Sequence, residues 1–145
     1  MPSVMDILTA KGNQVFSISP AATVLQATRA MNDHKVGALV VRDGERVAGI
    51  FTERDVLRRV IADERLPSAV TVGEVMTSDV VCCTADTDIE EASRIMRDKR
   101  VRHLPVCGDN GRLLGVISIG DLNAYHASHQ EAHIHFLNEY VYGRA

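Results

Sequence analysis

A mixed fold of the α/β (α+β) kind is predicted for this chain of 145 residues, built from two tandem βαββα units packed as one pseudo-twofold module. Three observations predict it. The chain repeats itself at long range. Each copy passes from strand-like to helix-like hydrophobic spacing. Each copy also carries a hairpin turn between two apolar runs.

The repeat is legible residue by residue. "SPAATVLQATRAMNDHKVGALVV" begins at Ser19, and "TADTDIEEASRIMRDKRVRHLPV" begins at Thr84, 65 positions later. Val24 then meets Ile89, Ala27 meets Ala92, Met31 meets Met96, Val36 meets Val101, Leu39 meets Leu104 and Val41 meets Val106. One extra residue enters the second copy near "CGDNGR". Beyond it "GIFTERDVL", from Gly49, meets "GVISIGDLN", from Gly115, at an offset of 66.

The elements follow in order. "QVFSI" and "VVCCT" are short β-branched strands. Val24, Ala27 and Met31, like Ile89, Ala92 and Met96, fall at i, i+3, i+7 and predict a helix in each copy. Thr23-x-x-Gln26 and Thr87-x-x-Glu90 have the form of capping boxes that start them. "GALVVRDGERVAGIFT" is two strands around Asp43-Gly44, and "HLPVCGDNGRLLGVIS" is its counterpart around Asp109-Asn110-Gly111. A second helix follows each hairpin. A unit of about 50 residues buries too little surface to stand alone, so the copies are expected to pack on each other. The expected divisions are 1–66 for the first repeat with its lead-in, 67–127 for the second and 128–145 for a C-terminal helical tail.

Composition narrows the function. A net charge of -3 argues against a nucleic-acid footprint, which needs a basic surplus. No apolar run is long enough to span a bilayer, and the N-terminus has no signal-peptide pattern, so the expectation is a cytoplasmic protein without membrane contact. Cys82, Cys83 and Cys107 form no CxxC, which disfavours a disulfide framework or a thiolate zinc site. Cys82 and Cys83 are expected to face opposite sides of a strand.

The repeated hydroxyl-x-x-Asp is the most informative feature. Thr52-x-x-Asp55 and Ser118-x-x-Asp121 each stand where a strand ends and a helix begins, as a capping box does. The same place suits a nucleotide. A hydroxyl at a helix start can hold a phosphate, and a carboxylate one turn in can accept hydrogen bonds from ribose hydroxyls.

With "GIFTERDVL", "GVISIGDLN", "VGALVV", "RHLPV" and the lead-in helices "VMDIL" and "VGEVMT" in view, the chain resembles a CBS-domain pair, or Bateman module. The resemblance covers roughly residues 4 to 127, and its specificity lies in the twofold repetition at consistent spacing. The chain looks like the small stand-alone bacterial CBS-pair proteins. The resemblance implies two βαββα repeats packed through their sheets, and adenosine ligands held in the cleft between them. Carried onto this chain, it assigns Thr52 and Asp55 to one site and Ser118 and Asp121 to the other, hydroxyl on phosphate and Asp on ribose. AMP is the foremost ligand implied, with ADP, ATP or an adenine dinucleotide as alternatives, and no catalytic cofactor.

The two sites are not expected to be equivalent. Gly37-Ala38 aligns with Arg102-His103. Small residues let a flat base approach the backbone, whereas Arg102 offers a bidentate phosphate donor. Arg54 aligns with Gly120, whose backbone would lie open to a ligand. Pro105, in "RHLPV", completes the implied nucleotide-binding set.

His126, His129 and His133 fall on one helix face, a spacing that could hold Zn²⁺, although nothing evident completes a tetrahedral set. Ile134, Phe136, Leu137, Tyr140 and Val141 make the tail apolar and predict a homodimer with the tail in its interface. Ser128-x-x-Glu131 allows a helix break near Ala127. A ligand-sensing module acting on an unknown downstream protein is the leading function. A ligand-free scaffold is the alternative. Enzymatic activity is not expected, because no catalytic constellation appears, and His103 and Cys107 would lie ~13 Å apart along a strand.

Overall fold

The computed structural model describes residues 2–12 and 14–129. Helix α1 spans Val4–Lys11 and is followed by β1, Ser17–Ile18. Helix α2, Val24–His34, leads into the hairpin of β2, Ala38–Asp43, and β3, Arg46–Thr52. A short turn of helix, α3, Glu53–Asp55, then continues as a π-helical segment, Val56–Ile61. Helix α4, Val72–Val75, starts the second half, where α5, Ile89–Lys99, precedes the hairpin of β4, His103–Cys107, and β5, Leu113–Ser118. A final helix, α6, covers 119–129 and runs unbroken through Ala127, so no break occurs there. The expected metal spacing through His133, and the apolar tail at Ile134, Phe136, Leu137, Tyr140 and Val141, lie outside the described residues.

The hairpins form where expected. Gly44 turns the first with φ +66, and Asn110 and Gly111 turn the second with φ 61 and 73. β2 pairs antiparallel with β3 from Ala38↔Thr52 onward, and β4 with β5 from His103↔Ser118 onward. In the first repeat β1 joins β2 in parallel, Ser17 opposite Val40. In the second repeat the predicted strand "VVCCT" shrinks to one parallel bridge, Cys83↔Val106. Pro105 explains the difference. In the first repeat Val40 N–H donates to Phe16 O at 3.1 Å. Pro105 holds the position of Val40 and has no N–H, so that rung cannot form and the ladder stops at Cys83.

Helix α2 starts as predicted, since the Thr23 side chain accepts the Gln26 N–H and the Gln26 side chain returns to the Thr23 N–H. Helix α5 starts one residue later than predicted. Asp88 is its N-cap, accepting the Glu90 N–H at 3.0 Å, because the Thr87 hydroxyl is already taken by the Thr84 N–H.

There are two hydrophobic cores among the described residues, and each takes in the lead-in helix of the other repeat. Val4, Ile7 and Leu8 of α1 are buried with Ile89, Met96, Leu104 and Ile117 of the second repeat. Val72 and Val75 of α4 are buried with Val24, Leu39, Phe51 and Val60 of the first. Backbone bonds fix the exchange: Val4 N–H donates to Thr87 O at 2.9 Å, and Val72 N–H to Ala22 O at 2.8 Å. The packing therefore does not follow the sequence division at 66 and 67.

Glycines in the repeated motif make this closeness possible. A Cβ at Gly49 would sit 2.6 Å from Thr77 O, and one at Gly115 would sit 2.8 Å from Leu8 Cδ2. The first glycine admits the connection between the repeats, and the second admits α1.

Candidate functional site

Each hydroxyl-x-x-Asp sits at the strand-to-helix corner predicted for it. Thr52 Oγ1 accepts the Asp55 N–H at 3.3 Å, and Asp55 Oδ2 accepts the Thr52 N–H at 2.9 Å. Ser118 Oγ accepts the Asp121 N–H at 3.0 Å, and Asp121 Oδ2 accepts the Ser118 N–H at 2.8 Å. Both are closed capping boxes, so local helix-start chemistry accounts for these bonds. In each, Oδ1 accepts no hydrogen bond among the described residues.

Two clefts open between the repeats. The first, of about 410 Å³, is lined by Thr52, Arg54 and Asp55 together with Thr77, Val80 and Val81 of the connecting segment and Arg102 and His103 of the second repeat. The second, of about 320 Å³, is lined by Ser118 and Val116 together with Val15 and Phe16 and with Gly37 and Ala38 of the first repeat. Each cleft thus joins the hydroxyl corner of one repeat to the lead-in segment and strand start of the other. Val80-Val81 and Val15-Phe16 are repeat-mates, so the pseudo-twofold relation extends to the clefts.

The remaining candidates are placed as follows. Gly37 and His103 line both clefts. Glu53 Oε1 lies 3.2 Å from where a Cβ on Gly37 would be, so a larger residue would push that carboxylate aside. Gly120 and Asp121 are in the first turns of α6 and line neither cleft. Pro105 is buried in β4 and also lines neither; its carbonyl accepts the Cys83 N–H at 2.9 Å.

Lys11 was missed by the sequence reading. Its ammonium donates to Asp121 Oδ2 at 2.7 Å and to Val116 O at 2.9 Å. Burial pushes the Asp121 carboxyl up, but the Lys11 hydrogen bond and charge and the Ser118 contacts outweigh it and hold it below the usual carboxylate range. Asp55 has a different partner: Arg59 Nε lies 3.8 Å from its Oδ1. Burial, then the neighbouring Arg102, lowers the His103 pKa, while Asp121 and Glu53 oppose that change. Only the repeat alignment carried a signal for Val80 and Val81. Nothing local marks Lys11, which meets Asp121 across 110 positions.

The other chemistry-bearing residues stay outside the clefts. Cys82 is exposed and Cys83 buried, on opposite sides as expected, and burial pushes the Cys83 thiol up to about 11. His129 Nδ1 lies 3.0 Å from Tyr125 O and its ring packs on the Tyr125 ring at 3.9 Å. No group of three His, Cys, Asp or Glu residues is placed to hold a metal ion among the described residues. No helix among them is long and apolar enough to cross a membrane.

Two sheet-and-helix repeats exchanging their lead-in helices, with a hydroxyl-x-x-Asp corner at each of two clefts, define a paired α+β module. The chain belongs to the CBS-domain family: the sequence profile of the CBS domain matches residues 4–62 and 72–127. It is similar to the CBS domain-containing protein YhcV of Bacillus subtilis, 33% identical over 132 residues that cover 91% of each chain. It is also similar to the solved structure of a candidate signal-transduction protein with CBS domains from Burkholderia ambifaria. That structure is 38% identical, with a TM-score of 0.83 over 88% of this chain and 95% of the other. The CBS domain protein PAE2072 from Pyrobaculum aerophilum, solved in complex with AMP, shares the fold at 24% identity, with a TM-score of 0.75 over 83% of this chain and 89% of its own.

Proposed function

We propose that the protein is a regulatory module that senses adenine nucleotides in the clefts between its two CBS repeats and signals through conformation. The observation that carries this reading is the pair of hydroxyl-x-x-Asp corners, each facing the lead-in segment of the opposite repeat. Thr52 and Ser118 would hold phosphate. Asp55, in the first cleft, and Asp121, one turn past the Ser118 that lines the second, would accept the ribose hydroxyls on oxygens that receive no hydrogen bond among the described residues, Asp55 Oδ1 doing so beside Arg59 Nε at 3.8 Å. Val80-Val81 in one cleft and Val15-Phe16 in the other would flank the base. The AMP bound to the Pyrobaculum protein supports the ligand class.

A ligand held this way touches both repeats at once, so occupancy would bias their relative placement. No catalytic role is proposed for any cleft group. The protein would act as a homodimer, with a downstream protein as the receiver of the signal.

Calorimetry with AMP, ADP, ATP and an adenine dinucleotide tests the reading. Asp55→Ala and Asp121→Ala should each weaken binding at one cleft, by about tenfold or more, as the loss of hydrogen bonds to a ligand implies. Wild-type affinity in the double variant would refute the ribose assignment.

A further inference from the structure

Resting on that nucleotide reading, we propose that the first cleft selects an adenosine di- or triphosphate over the monophosphate, through arginines that the second cleft lacks.

Five arginines line the first cleft: Arg54, Arg58, Arg59, Arg100 and Arg102. Arg59 is engaged, donating to Val75 O and Met76 O at 3.1 Å each and facing Asp55. The other four are exposed and make no side-chain hydrogen bond or ion pair among the described residues. They stand on two walls. Arg54 and Arg58 lie one turn apart after β3, Arg100 caps the end of α5, and Arg102 precedes β4.

A guanidinium presents a planar fork that grips phosphate oxygens two at a time. One terminal phosphate has three free oxygens and satisfies about two such forks. Four forks on two walls call for a chain of phosphates that reaches from one wall to the other. Charge agrees. With Asp55 facing Arg59, four arginines meet only Glu53 and Asp79 in this lining, which leaves a surplus of two positive charges.

The second cleft offers no such set. Lys11 is the one Lys or Arg among its described lining residues, and it already donates to Asp121 and Val116. The repeat-mates of Arg54, Arg58 and Arg102 are Gly120, Ala124 and Gly37. Lys35, the repeat-mate of Arg100, ends α2 in the same left-handed conformation but lines neither cleft.

Calorimetry on the full chain, without added divalent cation, compares AMP, ADP, ATP and NAD. ATP and ADP should bind one site at least ~10-fold more tightly than AMP, as one or more additional charge-assisted contacts imply. The gap should narrow as ionic strength rises and should survive Asp121→Ala. In the double variant Arg58→Gln/Arg100→Gln the loss should fall mainly on ATP, so that the ATP-to-AMP ratio collapses. Both residues are exposed, so core packing is untouched. Equal wild-type affinities for AMP and ATP would overturn the proposal while leaving the nucleotide reading intact. So would a preference that persists in the double variant, or NAD binding more tightly than ATP. Binding of none of the four ligands would bring down the nucleotide reading itself.

Discussion

Asp55 and Asp121 hold repeat-equivalent positions with different neighbours, and a single residue can tell the clefts apart. Asp121 is bonded to an ammonium at 2.7 Å, while Asp55 faces a guanidinium at 3.8 Å. A ligand ribose arriving at Asp121 must share the carboxylate with Lys11, so Lys11→Met should alter affinity at the second cleft and leave the first unchanged. Titration calorimetry against Asp55→Ala and Asp121→Ala backgrounds separates the two. His103 stands between the clefts and reports on both. Burial and Arg102 hold its pKa below the ordinary 6.5. Its neutral form is therefore favoured by folding. Any stability tied to His103 is present above the unfolded pKa and is lost as pH falls through the folded pKa. NMR titration should place the His103 pKa below 6.5, and Arg102→Ala should move it upward, since the adjacent cation is removed. A His103 pKa unmoved by that substitution would show that Arg102 does not contribute to it.

Among the elements, the segment after α3 departs from the regular helix expected to follow the first hairpin. Val56–Ile61 is π-helical, with the Ala62 N–H donating five residues back to Leu57 O at 2.9 Å. Within it Leu57 is 62% and Ile61 54% exposed, and Leu66, close by in sequence, is 64% exposed. Exposed apolar side chains of this kind are what a second copy could cover in the proposed homodimer. Burying each side chain would contribute roughly 1.5–3 kcal/mol before association costs. Leu57→Lys with Ile61→Lys should raise the dimer dissociation constant at least ~100-fold by sedimentation velocity. A chain ending at Ala127 tests the tail in the same experiment. If the double lysine variant dimerises as the wild type does, this face is not in the interface.

At the scale of the whole molecule, the exchange of α1 and α4 seats a helix of each repeat in the core of the other, which should make the two unfold together. Leu8 is buried in the second repeat's core although it lies in the first eight residues of the chain. Leu8→Ala should cost about 2–5 kcal/mol, the usual range for emptying a packed leucine site. It should lower one shared unfolding transition rather than split it. Two separate transitions in calorimetry, with only one affected, would show that the repeats unfold independently despite the exchange.

The residue pattern by itself determined the repeat, the hairpin turns, the helices of both copies and the two hydroxyl-x-x-Asp corners. Each of these depends on neighbours a few positions away, through side-chain period, turn geometry and capping, so each is written locally. Thr23 capped its helix as its spacing implied, whereas Thr87 yielded to Asp88 because a loop contact claimed its hydroxyl. The second lead-in strand was legible as β-branched sequence, yet its ladder ended at one rung, because the missing N–H belongs to Pro105 on a different strand. Only the tertiary structure decided which corner faces which lead-in segment, that α1 and α4 change places, that Lys11 reaches Asp121, and that Arg58 and Arg100 share a cleft with Arg54 and Arg102. Those juxtapositions join residues far apart in the chain. They are set by how two apolar cores close against each other, and no local period encodes that.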